Sequence, residues 1–289
     1  RGREEARGRE EAVEAGVLLL FVDGLGLGAS DPKTNPLAAG RLEAFRYLLG
    51  GLDLAGLDAP VRTPRSAMVP ADARLGVPGF PQSATGQTAL LSGENAALLA
   101  GRHVNAYPTP DLIEVLRERG IFARLKRAGL RATFLNGFRP DSVKRLAGIP
   151  LRTFEDVARG EGVTHDVTGS TLRELGYPAP EVEPREAGRR AAAVAAVHHF
   201  TLFEFFLTDI AGHSRDFQLA LRVLKVLDGF VAGVLAAADP HRLTLVIASD
   251  HGNVEDLSTN THTLNPVPVL TWGRRAAGAA ARISRITDV

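Results

Sequence analysis

The sequence contains no cysteine, so it offers neither disulfide bonds nor thiolate metal ligands, and any bound metal must be held by nitrogen and oxygen. Its 34 basic and 33 acidic residues leave a net charge of +1, which gives no electrostatic reason to expect binding to nucleic acid or to an anionic membrane. No apolar run reaches the roughly 20 residues that a membrane-spanning helix needs. These absences favour a cytoplasmic protein, and they leave its oligomeric state open.

The first residues form a tandem repeat of Arg-Gly-Arg-Glu-Glu-Ala. Mixed charge with glycine in each unit is typical of a segment that buries no core, so a disordered leader is predicted over residues 1–12. Residues 13–137 and 185–289 are predicted to form one core. Between them, glycine and proline interrupt short periodic pieces, which indicates a small cap or insertion over residues 138–184.

Apolar periodicity alternates between strands and helices, which predicts an α/β fold with a mainly parallel central sheet and helices on both faces. The predicted strands cover residues 17–22, 131–135, 202–207, 243–248 and 267–270, the last as an edge strand. The predicted helices cover residues 36–49, 85–99, 111–128 (as one helix or two), 186–199 and 217–237. Residues 63–80 are rich in proline and glycine and are predicted to be irregular.

Carboxylate and imidazole side chains follow the ends of three separated apolar runs. They are Asp23 after the first run, Asp209 and His213 after the run at 202–207, and Asp250, His251 and His262 after the run at 243–248. Open α/β sheets place their chemistry at the carboxyl ends of such buried strands. Taken singly, each residue would more often cap a helix or solvate a loop. As a set, three carboxylates and three imidazoles predict a site for two divalent metal ions.

Within this set, Asp209 and His213 are predicted to share one side of a tight strand-to-helix turn. Asp250 and His251 are adjacent at a strand end, so their side chains point in different directions and serve either two metals or one metal from a bent loop.

Ser83 lies where a loop rich in proline and glycine turns into a helix. A hydroxyl at a helix N-terminus is well placed to attack phosphorus, because the free backbone N–H groups and the helix dipole favour a bound phosphate. A serine at such a position is more often a simple N-cap. The nucleophile hypothesis therefore depends on the nearby metal ligands.

The motifs resemble those of the alkaline phosphatase superfamily, and most closely its cofactor-independent phosphoglycerate mutase branch. In the order of that family, they are Asp23-Gly24-Leu25-Gly26, Ser83-Ala84-Thr85-Gly86, Asp209-Ile210-Ala211-Gly212-His213, Asp250-His251-Gly252-Asn253, and His262-Thr263 followed by Asn265-Pro266-Val267-Pro268. The resemblance implies one metal held by Asp209, His213 and His262, and a second held by Asp23, Asp250 and His251. Ser83 would bridge to the second metal and take the phosphoryl group. The ligand types suit Zn²⁺ or Mn²⁺ and do not distinguish between them.

Two departures from the family shape the expected function. The interval between Ser83 and Asp209 is too short for the second domain of the mutases, and Ser83-Ala84-Thr85-Gly86-Gln87 lacks the sulfatase pattern. Family diesterases usually carry a threonine nucleophile. The expected function is therefore metal-dependent hydrolysis of a phosphomonoester through a phosphoserine. A phosphomutase, a phosphodiesterase and a non-catalytic metal-binding protein remain the alternatives.

The expected partner is a small phosphorylated substrate. Candidate contacts for it are Gln82, Asn95, Arg102, His103 and Asn136, although loop and helix-surface roles are equally compatible with these residues. His165 and Asp166 in the predicted cap are further candidates for contact with the leaving group.

Overall fold

The computed structural model describes residues 12–138, 151–177 and 179–289. The predicted leader lies outside the described residues except for Ala12, as does the part of the predicted cap at 139–150. The strands are β1 (Gly16–Val22), β2 (Val61–Arg62), β3 (Ser66–Ala71), β4 (Ala132–Phe134), β5 (Gly137–Phe138), β6 (Arg152–Thr153), β7 (Phe200–Phe205), β8 (Leu243–Ala248) and β9 (Val267–Trp272).

Within the described residues, seven strands form one sheet in the order β2-β3-β9-β8-β1-β7-β4. β1 is flanked in parallel by β7 and β8, and β4 continues the parallel half beyond β7. β9, β3 and β2 complete the sheet in antiparallel fashion. The α/β prediction is confirmed, and the parallel half is the one that carries the predicted metal ligands.

Two predictions about this sheet are wrong. The strand at 267–270 is not at an edge, because β9 lies between β8 and β3. The segment at 63–80 is not wholly irregular, because it contains β3. The strand was not predicted because it contains Pro70, and proline usually marks the edge or the end of a strand. In the structure Pro70 lies opposite Pro268, near the end of β3 and the beginning of β9.

The helices are α1 (Pro36–Ala39), α2 (Glu43–Leu48), α3 (Ser83–Ser92), α4 (Ala96–Leu99), α5 (Pro110–Arg119), α6 (Ile121–Arg127), α7 (Phe154–Ala158), α8 (Ser170–Glu174), α9 (Pro184–Ala195), α10 (Leu207–Ser214), α11 (Phe217–Ala237) and α12 (Ala276–Ala280). Two predicted helices are split. Gly40 separates α1 from α2, and Gly93, at a φ of 77°, ends α3 before α4. None of the helices in the described ranges is long and apolar enough to cross a membrane.

Alternate residues of β1 contribute their side chains to two apolar layers, one on each face of the sheet. Leu18 and Leu20 pack in one layer, which includes residues of α2, α9 and α11, while Leu19 and Phe21 pack in the other, which includes residues of α3, α5 and α6. This arrangement confirms helices on both faces. It also places α3, which begins with Ser83, on one face of the sheet.

The described part of the predicted cap contains the β5–β6 pair, α7, α8 and a tight turn around Asp166. The carboxylate of Asp166 is buried and accepts hydrogen bonds from the N–H groups of Gly169 and Thr171 and from the hydroxyl of Ser170. Burial alone would raise the pKa of Asp166, but these hydrogen bonds outweigh it and lower the pKa. Asp166 therefore organises the turn in its ionised form.

Replacing Asp166 by asparagine is expected to destabilise the protein by about 2 kcal/mol at neutral pH, because charge-assisted hydrogen bonds are lost. A lowered folded-state pKa contributes stability that is complete above the unfolded value of about 3.9 and is lost as the pH falls through the folded value. The stability difference between wild type and Asp166→Asn in urea unfolding should thus shrink below about pH 4. A difference that does not change with pH would contradict this role.

Candidate metal centre

The predicted ligands converge at the carboxyl edge of the parallel strands. Asp23 follows β1, and Asp250 follows the adjacent β8. Asp209 follows β7, which lies on the other side of β1, and is carried by α10. His213 is four residues further along α10, so it lies on the same helix face as Asp209. The predicted turn at this point is therefore a helix.

The first ligand group surrounds one nitrogen of a buried histidine. Nε2 of His251 lies 3.3 Å from Oδ1 of Asp23, 3.5 Å from Oδ2 of Asp250 and 3.1 Å from Oγ of Ser83. One ring nitrogen carries at most one proton, so it cannot satisfy three oxygens by hydrogen bonding. Among the described residues, Asp23 Oδ1 and Asp250 Oδ2 have no hydrogen-bond partner, although both are buried. A divalent cation suits this set of atoms.

The second ligand group contains two histidines whose tautomers are set by the backbone. Nδ1 of His213 lies 3.0 Å from the carbonyl oxygen of Asn260, and Nδ1 of His262 lies 2.7 Å from that of Pro81. If each Nδ1 donates, each neutral ring presents a lone pair at Nε2, and these two atoms are only 3.2 Å apart. Two facing lone pairs repel unless a cation lies between them. Donation from Nδ1 to a carbonyl is also the usual way in which metal-binding histidines are oriented.

Asp209 completes the second group. Its Oδ1 lies 3.6 Å from Nε2 of His262, and its Oδ2 lies 3.4 Å from Nε2 of His213. The rings of His251 and His262 stack with centroids 3.7 Å apart, which joins the two groups. Two triads, Asp23 with Asp250 and His251, and Asp209 with His251 and His262, each hold their ligand atoms within 4.8 Å of one another. All six predicted ligands thus lie in one cluster.

Burial and the charges of neighbouring groups shift the pKa values of several ligands in the cluster. Burial, followed by the charge of Asp23, raises the pKa of Asp250 well above its ordinary value. Burial would lower the pKa of His251, but Asp250 and Asp23 outweigh it and raise that pKa to about 9. Burial and the neighbouring His251 lower the pKa of His262. Without a metal, protons on Asp250 and His251 therefore neutralise part of the carboxylate charge. A bound cation would neutralise the same charge.

Several neighbours that orient the ligands were not singled out from the sequence. Asn253 donates from Nδ2 to Oδ1 of Asp209 at 2.6 Å, and Gln87 donates from Nε2 to Oδ2 of Asp23 at 3.4 Å. Asn253 ends the Asp250-His251-Gly252-Asn253 motif and Gln87 directly follows the Ser83-Ala84-Thr85-Gly86 motif, which was the available signal. Glu204 on β7 was not singled out either, although burial and the charge of Asp23 raise its pKa to about 7. Its only sequence signal is a charge within an apolar run.

Two motif glycines are required by close packing at the site. A Cβ at Gly86 would lie 2.7 Å from Cβ of Asp250, and a Cβ at Gly212 would lie 2.4 Å from Oδ1 of Asn253. Gly86 thus allows α3 to approach the ligand loop after β8. Gly212 allows α10 to approach the amide that holds Asp209.

Ser83 is the first residue of α3, and Gln82 rather than Ser83 is the N-cap. The hydroxyl of Ser83 is half-buried and faces His251 rather than its own helix backbone. The alternative that Ser83 is a simple N-cap is therefore not what the structure shows. Its position combines the N–H groups of the first helical turn with the first ligand group.

The predicted substrate contacts lie in different surroundings. Gln82 is half-buried beside Ser83, Arg102 is exposed, and Nε2 of His103 lies 3.2 Å from the carbonyl oxygen of Val77. The amide groups of Asn95 and Asn136 are engaged with backbone: Asn95 caps α4 and donates to the carbonyl of Leu75, and Asn136 bonds both backbone groups of Glu204. Direct substrate contact by these five residues stays a prediction.

The segment predicted to form a cap contacts the residue before the helix that carries Asp209. His165 stacks on Phe206 with ring centroids 4.9 Å apart and an interplanar angle of 10°. Phe206 directly precedes α10. Burial lowers the pKa of His165, so the ring that packs here is neutral near pH 7.

Comparison with known proteins agrees with this geometry. Residues 179–286 match the family model described as Metalloenzyme superfamily. The chain is 28% identical over 116 residues to the 2,3-bisphosphoglycerate-independent phosphoglycerate mutase of Desulforudis audaxviator, and 30% identical over 118 residues to that of Roseobacter denitrificans. Each match covers 38% of this chain and 23% of the relative, so it spans about a quarter of the relative's length.

Among solved structures, the PH0037 protein from Pyrococcus horikoshii shares the fold, with a TM-score of 0.55 and 15% identity over 91% of this chain and 86% of that one. The chain is thus similar in sequence to the Metalloenzyme superfamily over residues 179–286, and similar in fold to the PH0037 protein. More particularly, the chain is phosphoglycerate-mutase-like in the segment it shares with its curated relatives.

Proposed function

We propose that this protein hydrolyses a phosphomonoester through a phosphoserine at Ser83, with two divalent ions, Zn²⁺ or Mn²⁺, at the ligand cluster. The observation that carries the proposal is the position of Ser83. Its hydroxyl lies 3.1 Å from Nε2 of His251, at the start of a ten-residue helix whose residues contact the first ligand group. A nucleophile, a helix N-terminus and metal ligands are the parts that phosphoryl transfer requires.

Bound divalent ions would supply Lewis-acid stabilisation of charge on the phosphoryl oxygens. Asp23, Asp250 and His251 would hold one ion, and Asp209, His213 and His262 the other. The N–H groups at the start of α3 orient the phosphoryl group toward Ser83. Asn253 keeps the carboxylate of Asp209 in place throughout.

The proposed reaction has two balanced steps. Oγ of Ser83 forms a bond to phosphorus as the bond to the ester oxygen breaks, and the departing alcohol takes the bonding electrons and the proton that the serine gives up. Water then attacks the phosphoserine, which releases inorganic phosphate and returns a proton to Ser83. The net reaction consumes one water and yields one alcohol and one phosphate.

A phosphomutase that returns the phosphoryl group to another position of the same substrate is the second candidate, and the resemblance to the curated mutases favours it. Hydrolysis is favoured because only 125 residues separate Ser83 from Asp209, and β4 and α9 of the core occupy part of that interval.

A screen of phosphorylated metabolites with Mn²⁺ and with Zn²⁺ separates the two functions. Hydrolysis is expected to release inorganic phosphate and the dephosphorylated alcohol in equal amounts. Retention of the phosphoryl group on an isomerised product, without free phosphate, would establish the mutase instead. A panel of diesters in the same assay tests the phosphodiesterase alternative, which fails if only monoesters turn over.

The substrate is proposed to be a small phosphorylated molecule. Three large apolar side chains next to site residues are about half exposed: Phe80 at 46%, Ile210 at 50% and Leu264 at 47%. Phe80 precedes Pro81, Ile210 follows Asp209 and Leu264 follows Thr263 along the chain, and these side chains are proposed to receive an alcohol with an apolar part. The cytoplasm is proposed as the place of action, since a chain without cysteine needs no oxidising compartment.

A further inference from the structure

Glu255 is a buried carboxylate outside both ligand groups. It is 1% exposed. Its Oε2 accepts hydrogen bonds from the N–H of Gly26 at 3.1 Å and from the N–H of Asn253 at 2.7 Å. Its Oε1 accepts from Nδ2 of Asn265 at 3.1 Å and from the hydroxyl of Thr263. An ionised carboxylate is purely an acceptor, so these four donors match its chemistry.

The four donors belong to the three loops that carry metal ligands. Gly26 is three residues after Asp23, and Asn253 is two residues after His251. Thr263 follows directly on His262, and Asn265 is three residues after His262. One side chain therefore connects the loop after β1, the loop after β8 and the loop that carries His262. These loops supply residues to both ligand groups.

The glycines around Glu255 show that the loops are packed closely on this carboxylate. A Cβ at Gly26 or at Gly252 would lie 2.2 Å from Oε1, and a Cβ at Gly28 would lie 2.7 Å from Cγ. Alanine at any of these positions would displace the side chain. The glycines of the turn after β1 thus have a physical role, which is to admit Glu255.

Asn253 extends the connection to the second ligand group. Its backbone N–H is held by Glu255, while its side-chain amide holds Oδ1 of Asp209. Displacement of Glu255 would therefore move the amide that orients Asp209, in addition to the loops of Asp23 and His262. Partners of this kind typically contribute a factor of about 10–100 to metal affinity.

We propose that Glu255 is a positioning residue that holds the two metal-ligand groups at a fixed position relative to each other. It acts through Gly26, Asn253 and Thr263, and it touches neither metal nor substrate. The inference rests on the metal-binding part of the proposed function and not on the identity of the reaction.

Glu255→Gln tests the proposal with little change in volume. The amide replaces one acceptor oxygen with an NH₂ group, so two of the four donors lose their acceptor. Titration calorimetry of the metal-free protein with Mn²⁺ is expected to show affinity reduced about 10–100-fold. Asp256→Asn is the matched control, because among the described residues that neighbouring carboxylate bonds only the N–H and the hydroxyl of Ser258. The control should bind Mn²⁺ as wild type does.

A second readout needs no metal. Hydrogen exchange at the N–H groups of Gly26 and Asn253 in the metal-free protein is expected to be faster in Glu255→Gln and unchanged in Asp256→Asn. Wild-type affinity together with unchanged exchange would overturn the proposal. A lower melting temperature with unchanged Mn²⁺ affinity would overturn it as well, since it would show a merely structural role.

If Glu255→Gln does not fold, Asn265→Ala removes a single donor and tests the same connection. It should weaken the Mn²⁺ site that includes His262 more than the site that includes Asp23, and equal affinities at both sites in the variant and wild type would count against the proposal. A wild-type protein that binds no Mn²⁺ would defeat the proposed function instead. In that case the exchange of Gly26 and Asn253 still decides the role of Glu255.

Discussion

Ser83→Ala is expected to reduce turnover of an aryl phosphate by on the order of 10⁴-fold, because it removes the atom that forms the bond to phosphorus. The fold should survive, since Oγ of Ser83 faces His251 and takes no part in capping α3. Steady-state rates at saturating metal measure the loss. Mass spectrometry of acid-quenched wild type should find one phosphoryl group on the peptide that contains Ser83, and none on that peptide in the variant.

Ser92→Ala is the matched control for this result. Ser92 ends the same helix, and its hydroxyl donates to the carbonyl of Thr88 and accepts from the N–H of Glu94. Turnover should change by no more than a few-fold, as expected for loss of two local hydrogen bonds away from the ligand groups. Wild-type turnover in Ser83→Ala would remove Ser83 from the mechanism. Absence of turnover in the wild type with every monoester and diester would favour the non-catalytic alternative.

The positions of the ligands can be predicted from the sequence because the ends of the apolar runs show where the strands end. Apolar runs mark β1 and β8, and in a parallel pair the residues after both runs must meet at one edge. Asp23 and Asp250 are therefore predictable from pattern alone. The antiparallel half of the sheet is harder to predict. Pro70 and Pro268 lie opposite each other, and the sequence of each strand alone does not reveal that the two prolines pair.

The connections between the ligands could not be predicted in the same way. Glu255 and Gln87 act through contacts with residues far away in the chain, such as Gly26 and Asp23, and no spacing rule links such pairs. The break at Gly93 was missed for a related reason. Isolated glycine is tolerated within helices, so only the left-handed conformation seen in the structure identifies it as an end.

Metal removal is expected to have the second large effect, which is loss of turnover and a marked drop in melting temperature. Three carboxylates and three imidazoles share this cluster. A cation bound only by the folded state stabilises that state by about 2.7 kcal/mol at a concentration 100 times its Kd. For a chain of this size that amounts to about 5 °C for each site. Calorimetric scans with and without chelator, then with Mn²⁺ or Zn²⁺ restored, measure both effects.

The stoichiometry of rebinding separates the two ligand groups. Wild type should bind two equivalents, and Asp23→Ala and Asp209→Ala should each lose one, because the two carboxylates belong to different triads. Asp256→Ala, a control in the loop after β8, should keep both, since its carboxylate bonds Ser258 alone among the described residues. A single equivalent in wild type under saturating metal would refute the two-ion site. Loss of both equivalents in either variant would instead show that the triads, joined by His251, bind their ions cooperatively.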